Sequence, residues 1–214
     1  MKKIGLLVAF MFQGVLLFSQ NNNIYFDSWK SLKRSSAETF EDLVQVRKRP
    51  IPEIRVYGGN DYEILTNTEN ITTKTIRTSI FAIRSRDSLF LNGEKLKLAP
   101  FYCKVLLEGN YMVFQGSITK KEQDHYDEIT AIYGASGGFE ARFIAETNEK
   151  RHLYYLNMSQ KKPKPILLDR FQMRKLLENK ESLIEQYNKE KDLDNLQVIL
   201  RYVQRLNEID KTKK

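Results

Sequence analysis

The chain has 214 residues and a formal net charge of +8, from 35 Lys and Arg against 27 Asp and Glu. Its single cysteine, Cys103, excludes an internal disulfide, so packing alone must hold the fold. Because the 29% charged residues are mixed in sign, the basic balance describes a soluble, lysine-rich surface before it describes a polyanion site.

Lys2-Lys3, an apolar run from Ile4 to Phe18 and the polar stretch from Ser19 to Asn23 form the pattern of a signal peptide. The run is shorter than the ~20 apolar residues that cross a bilayer, so no transmembrane anchor is expected after cleavage. Cleavage after Ser19 leaves 195 residues and, with Lys2 and Lys3 gone, a net charge of +6. The expected address is outside the cytoplasm, in the periplasm or secreted. The partner is then another envelope protein or an anionic surface, not intracellular nucleic acid.

From residue 23 to 49 the pattern is mixed: "IYFDSW" can begin a strand, and "SSAETFEDLVQVRK" suits a short helix or a second strand. "EIRVY" and "YEIL" read as a strand pair around Gly58-Gly59-Asn60-Asp61, with Pro50 and Pro52 keeping the entry extended. "TIRTSIFAI" reads as strand, and Asn92-Gly93 in "SLFLNGEKLKLA" as a hairpin turn. "FYCKVLL" and "YMVFQGSI" flank a second hairpin at Glu108-Gly109-Asn110, in which Cys103 falls on the apolar side as a buried thiol. "FEARFIAE" and "RHLYYLNM" suggest a third.

Two constellations between these strands bear on chemistry. Gly134-Ala135-Ser136-Gly137-Gly138 is a literal G-x-S-x-G, which in a serine hydrolase presents the nucleophile on a strand-to-helix elbow. Its candidate pair here is Ser136 with His152. The surroundings lack alternating strands and helices, and the segment reads as a glycine turn. "DHYDE" gathers Asp124, His125, Asp127 and Glu128, donors of the kind that hold a divalent metal, although one local histidine in a charged loop is a weak zinc pattern. No cofactor is expected. Tyr154-Tyr155 and Phe101-Tyr102 offer rings to a sugar, though one ring of each pair should lie in the core.

After "SQKKPKPILLD" the period becomes helical. Asp169 caps a helix with Phe171, Met173, Leu176 and Leu177; Leu183, Ile184 and Tyr187 mark a continuation; Asp194 caps a last helix with Leu196, Ile199, Val203 and Leu206 on one stripe. The layout is residues 1–19 as signal peptide, 20–166 as a β-rich domain, 167–210 as helices packed on it and 211–214 as a frayed tail.

The order "SIFAI…DSLFLN", "FYCKVLLEGNYMVFQG", a glycine-rich turn, "RHLYYLNM" and "ILLDRFQMRKLLENKESLIEQYNKE" resembles a family of exported proteins of unknown function from Bacteroidota. The resemblance spans about Ile80 to Asn207 and implies export and the same layout, with no catalytic site. The expected fold class is α+β: an antiparallel sheet or sandwich followed by C-terminal helices. The expected function is non-enzymatic binding in the envelope. The alternatives are a small serine hydrolase using Ser136, and a binder of glycans or anionic surfaces through "VRKRP", "KKPKP" and the tail.

Overall fold

A computed structural model describes residues 23–39, 44–66, 72–122, 124–125, 128 and 139–212. The chain order is β1 (Ile24–Phe26), α1 (Trp29–Arg34), β2 (Glu38–Thr39), β3 (Val44–Lys48), α2 (Ile51–Tyr57), β4 (Tyr62–Thr66), α3 (Thr73–Ser79), β5 (Ala82–Ser85) and β6 (Ser88–Asn92). A 3-10 turn (Glu94–Leu96) leads to β7 (Tyr102–Leu107) and β8 (Tyr111–Gly116). Then come α4 (Phe139–Glu149), β9 (His152–Asn157), β10 (Ile166–Leu167), α5 (Arg170–Leu177), α6 (Glu181–Asn188) and α7 (Leu196–Lys211). Among the described residues, ten strands form one sheet in the order β10-β9-β8-β7-β6-β5-β1-β2, with β4 joining at β7 and β3 pairing β4. All the strand pairs are antiparallel, so the class is α+β. No helix among the described residues is long and apolar enough to cross a membrane.

Strand alternation sends neighbouring residues to opposite faces. Leu89, Leu91, Cys103, Val105, Met112, Phe114, Tyr154 and Leu156 build one core with Phe26 and Leu32. The residues between them face the other way and divide into two cores. Ile83, Phe90 and Tyr102 pack with Ile64, Ile76 and Ile80; Val113 and Tyr155 pack under α5, α6 and α7 through Met173, Leu177, Leu183, Tyr187, Ile199 and Val203. The second face therefore has three helices over its C-terminal half. On the first face, the helix α1 has only six residues, about 9 Å of cover at 1.5 Å per residue.

Asn60 fastens the middle of the sheet. Its side chain is fully buried: Nδ2 donates to Ala99 O at 2.6 Å and Pro100 O at 3.0 Å, and Oδ1 accepts from Ser117 N at 2.8 Å. Its carbonyl accepts from Arg49 Nη1 at 2.9 Å, and the same nitrogen reaches Gly58 O at 2.8 Å. Arg49 lies face-on to Phe101, 3.7 Å from the ring centre, and Glu53 accepts from its Nε at 3.1 Å. Burial pulls this guanidinium below its ordinary pKa, while Glu53 opposes the shift. Gly93 must be glycine because a Cβ would collide with Asn60 Nδ2 and Ala99 O.

Several expected elements differ. "EIRVY" is helix α2: Pro52 sits in its first turn, where a missing N–H costs nothing, and β4 pairs with β3 instead. "TIRTS" is helix α3, capped by Thr72 accepting from Thr75 N at 3.1 Å, and the strand begins only at Ala82. Asn92-Gly93 is no hairpin turn. The turn lies at Arg86-Asp87, with Arg86 at φ 52°, and Gly93 is right-handed at φ −60°. Asn92 Nδ2 instead donates to Arg77 O and Ile80 O at 2.7 and 2.8 Å. "FEARFIAE" lies in helix α4, so β9 pairs with β8 and β10. Asn195, not Asp194, caps α7, accepting from Gln197 N and Val198 N. The hairpin at Glu108-Gly109-Asn110 is present, as is the Asp169 cap.

The tip of that hairpin is tied to α7 by buried Asn207, whose Oδ1 accepts from Tyr111 N at 2.8 Å while Nδ2 donates to Tyr111 O at 3.0 Å. The amide thus pairs with Tyr111 as a neighbouring strand would, and it occupies the space that a Cβ on Gly109 would need. Asn207→Ala should cost ~2–4 kcal/mol in urea unfolding, because it orphans two backbone groups. Gly109→Ala should also destabilise, yet much less in an Asn207→Ala background. Additive costs in the double mutant would show that the two sites do not meet.

Candidate functional site

Uneven cover of the sheet leaves a cleft over the first core. It has a volume of about 660 Å³ and lies between α1 and its following turn on one side and the β7–β8 tip and Met158-Ser159 on the other. Its floor is Ile24, Phe26, Leu32, Met112 and Met158. Of these, Phe26, Leu32 and Met112 belong to the buried core, with Ile24 and Met158 packed against it. Among the described residues, α1 is the one helix that lines this cleft.

The short helix is held in place locally. Ser28 and Ser31 form a reciprocal cap, and Ser31 Oγ donates to Asp27 Oδ1 at 2.6 Å. Those hydroxyl bonds, from Ser31 first and then Ser28, lower the Asp27 carboxyl below the usual range. Ser35 ends the helix in the left-handed conformation at φ 54°. Trp29 Nε1 donates to Lys161 O at 3.0 Å, and Lys33 Nζ stands 5.6 Å over the indole. The "KKPKP" segment is thereby fastened beside α1.

The charged groups at the cleft are of two kinds. Arg84 donates to both oxygens of Glu108 at 2.8 and 2.7 Å, so this pair is internally neutralised. Lys33 lines the cleft and has no carboxylate partner among the described residues. Thioethers and alkyl chains below with a free ammonium above make the cleft suited to a ligand with an apolar body.

The residues singled out in the sequence lie elsewhere. Ser136 and Asp127 fall outside the described residues. His152 opens β9 opposite Gly116 and stands edge-on to Tyr154, with ring centres 6.4 Å apart. Asp124, His125 and Glu128 are exposed and helical, not in a loop. Thr119 starts this helical stretch, with its N–H and hydroxyl donating to Glu122 Oε2 at 2.9 and 2.7 Å. Among the described residues no group of three His, Cys, Asp or Glu side chains is arranged to hold a metal. Tyr154 and Tyr155 are both buried, one in each face, so neither offers a ring to a sugar.

"VRKRP" does not form a free basic patch. Arg47 pairs with Glu63 and Glu53, and Arg49 is buried, which leaves Lys48. "KKPKP" keeps exposed Lys161, Lys162 and Lys164. The cleft residues Lys33, Met112 and Met158 were not singled out from sequence. The available signal was the basic "WKSLKR" beside a tryptophan, which marks a cationic helix without revealing what it faces.

Cys103 is fully buried in the first core, and burial pushes its thiol far up from its ordinary value. It should stay unreactive to a thiol reagent at mildly alkaline pH and react stoichiometrically once unfolded. Rapid reaction of the native protein would contradict this packing.

Neither the comparison with curated proteins nor that with solved structures finds a match. A family model, described as a family of unknown function (DUF6563), matches residues 24–210, from the first residue of β1 almost to the end of α7. The match takes in both walls of the cleft and the helices behind the sheet, and the chain belongs to that family.

Proposed function

We propose that this protein is an exported, non-enzymatic binding protein of the cell envelope, and that the cleft beside α1 is where it holds its partner. The observation that carries this reading is the make-up of the cleft: an apolar floor that the fold leaves open, and a rim with one neutralised ion pair and one free ammonium. Of the two serines lining it, Ser159 donates its hydroxyl to Asn157 Oδ1 at 2.6 Å, and neither histidine is among the described lining residues. Such a set holds a molecule by burial and charge. Export is motivated by Lys2-Lys3, the apolar run to Phe18 and the polar stretch that follows. In this reading residues 1–19 are removed, and the helices of 167–210 stiffen the β domain of 20–166 from behind.

N-terminal sequencing of the protein recovered from an envelope or medium fraction should begin at Gln20; uncleaved chain confined to the cytoplasm would overturn export. A photo-crosslinking residue at Ser35, on the cleft, should capture a reproducible envelope component in cells. The same residue at exposed Ser182, on α6, should not. Equal capture from both positions, or none from Ser35, would overturn the assignment of the cleft.

A further inference from the structure

The charges around the cleft narrow what it holds. Helix α1 carries Lys30, Lys33 and Arg34, spaced by three and four residues and so on one side of the helix, all exposed. The Trp29–Lys161 hydrogen bond brings the exposed lysines Lys161, Lys162 and Lys164 to the same helix from 132 residues away in sequence. Among the described residues none of these six cations has a carboxylate within ion-pair distance. The nearby carboxylates are already engaged: Glu108 by Arg84, Asp27 by the Ser31 hydroxyl and Glu38 by Tyr25. Lys33 both lines the cleft and stands over Trp29, whose indole is bonded to Lys161.

We propose that the cleft takes the alkyl chain of a single-chain anionic amphiphile, a long-chain carboxylate, with its head group against Lys33 and the lysines beside Trp29. This rests on the reading of the cleft as the binding site and adds the chemical class of the ligand. Two methionines in the floor, Met112 and Met158, suit an unbranched chain because the thioether side chain repacks around varied shapes. The volume of about 660 Å³ lies within the ~300–1,000 Å³ typical of sites for one small ligand. The head group remains at the solvent edge, where the cations attract it over a range that salt shortens.

The test is a titration of the mature protein with dodecanoate and decanoate below their micelle concentrations and n-dodecanol below its solubility limit, followed by calorimetry at low and high salt. Dodecanoate should bind ~5-fold more tightly than the alcohol at low salt, the gap closing at high salt. Each methylene should contribute about fourfold in affinity, so dodecanoate, with two more, should exceed decanoate by roughly 15-fold. Lys33→Glu, a change on an exposed side chain, should remove the low-salt preference for the carboxylate over the alcohol; an undiminished preference would overturn the placing of the head group at Lys33. Equal affinity for carboxylate and alcohol would overturn the anionic assignment while leaving the cleft a binding site. Binding of neither, with crosslinks from Ser35 still forming in cells, would overturn the amphiphile and leave the envelope-binding reading intact. Binding of neither without such crosslinks would overturn both.

Discussion

The buried amide of Asn60 is the constraint on which the arrangement depends. A fully buried primary amide must find partners for its donors and acceptor or cost a large part of the folding free energy. Asn60 finds them in two separate segments: the carbonyls of Ala99 and Pro100 before β7, and the N–H of Ser117 after β8. Its own backbone is gripped by Arg49 after β3. The side chain and its carbonyl therefore fix where β3–β4, β7 and β8 stand relative to one another, and β7 is the strand through which both halves of the sheet connect.

The rest follows from that placement. With β7 and β8 fixed, their alternating residues define two faces, and the chain after residue 167 supplies three helices to one of them. Asn207 anchors the last of these helices to the hairpin tip. Among the described residues, the opposite face near β1 and the hairpin receives only α1, so Phe26, Met112 and Met158 line a cleft where the other face meets Tyr187 and Val203. In the proposed reading, the short helix is what makes the site: a longer one would cover the floor, and a less basic one would remove its charge.

What the sequence disclosed depends on how far apart the interacting residues lie. The C-terminal helices were legible because Ile199, Val203 and Leu206 repeat at helical spacing and Asp169 is a strong cap. The β7–β8 hairpin was legible because Cys103 and Val105 alternate with polar or half-buried neighbours around Glu108-Gly109-Asn110. Helices α2 and α3 were not, since each has seven residues, several β-branched, and is held chiefly by one buried isoleucine, Ile54 or Ile76, whose partners are remote. Asn92-Gly93 misled for a physical reason: the pair is used for a buried amide and a close backbone approach, and these leave the same letters as a turn. The cleft was illegible because Lys33, Glu108 and Met158 share no local pattern and meet only through the sheet. The described residues include His152, Asp124, His125 and Glu128 but not Ser136 or Asp127, so the two sequence motifs are only partly placed.

The central claim is that the face covered by α1 is the one that meets the partner. Hydrogen–deuterium exchange of the mature protein with and without saturating dodecanoate tests it most directly. Bound dodecanoate should slow exchange in residues 29–37, 109–112 and 158–161 and leave α5, α6 and α7 unchanged. Protection concentrated in those three helices, or none anywhere, would contradict it.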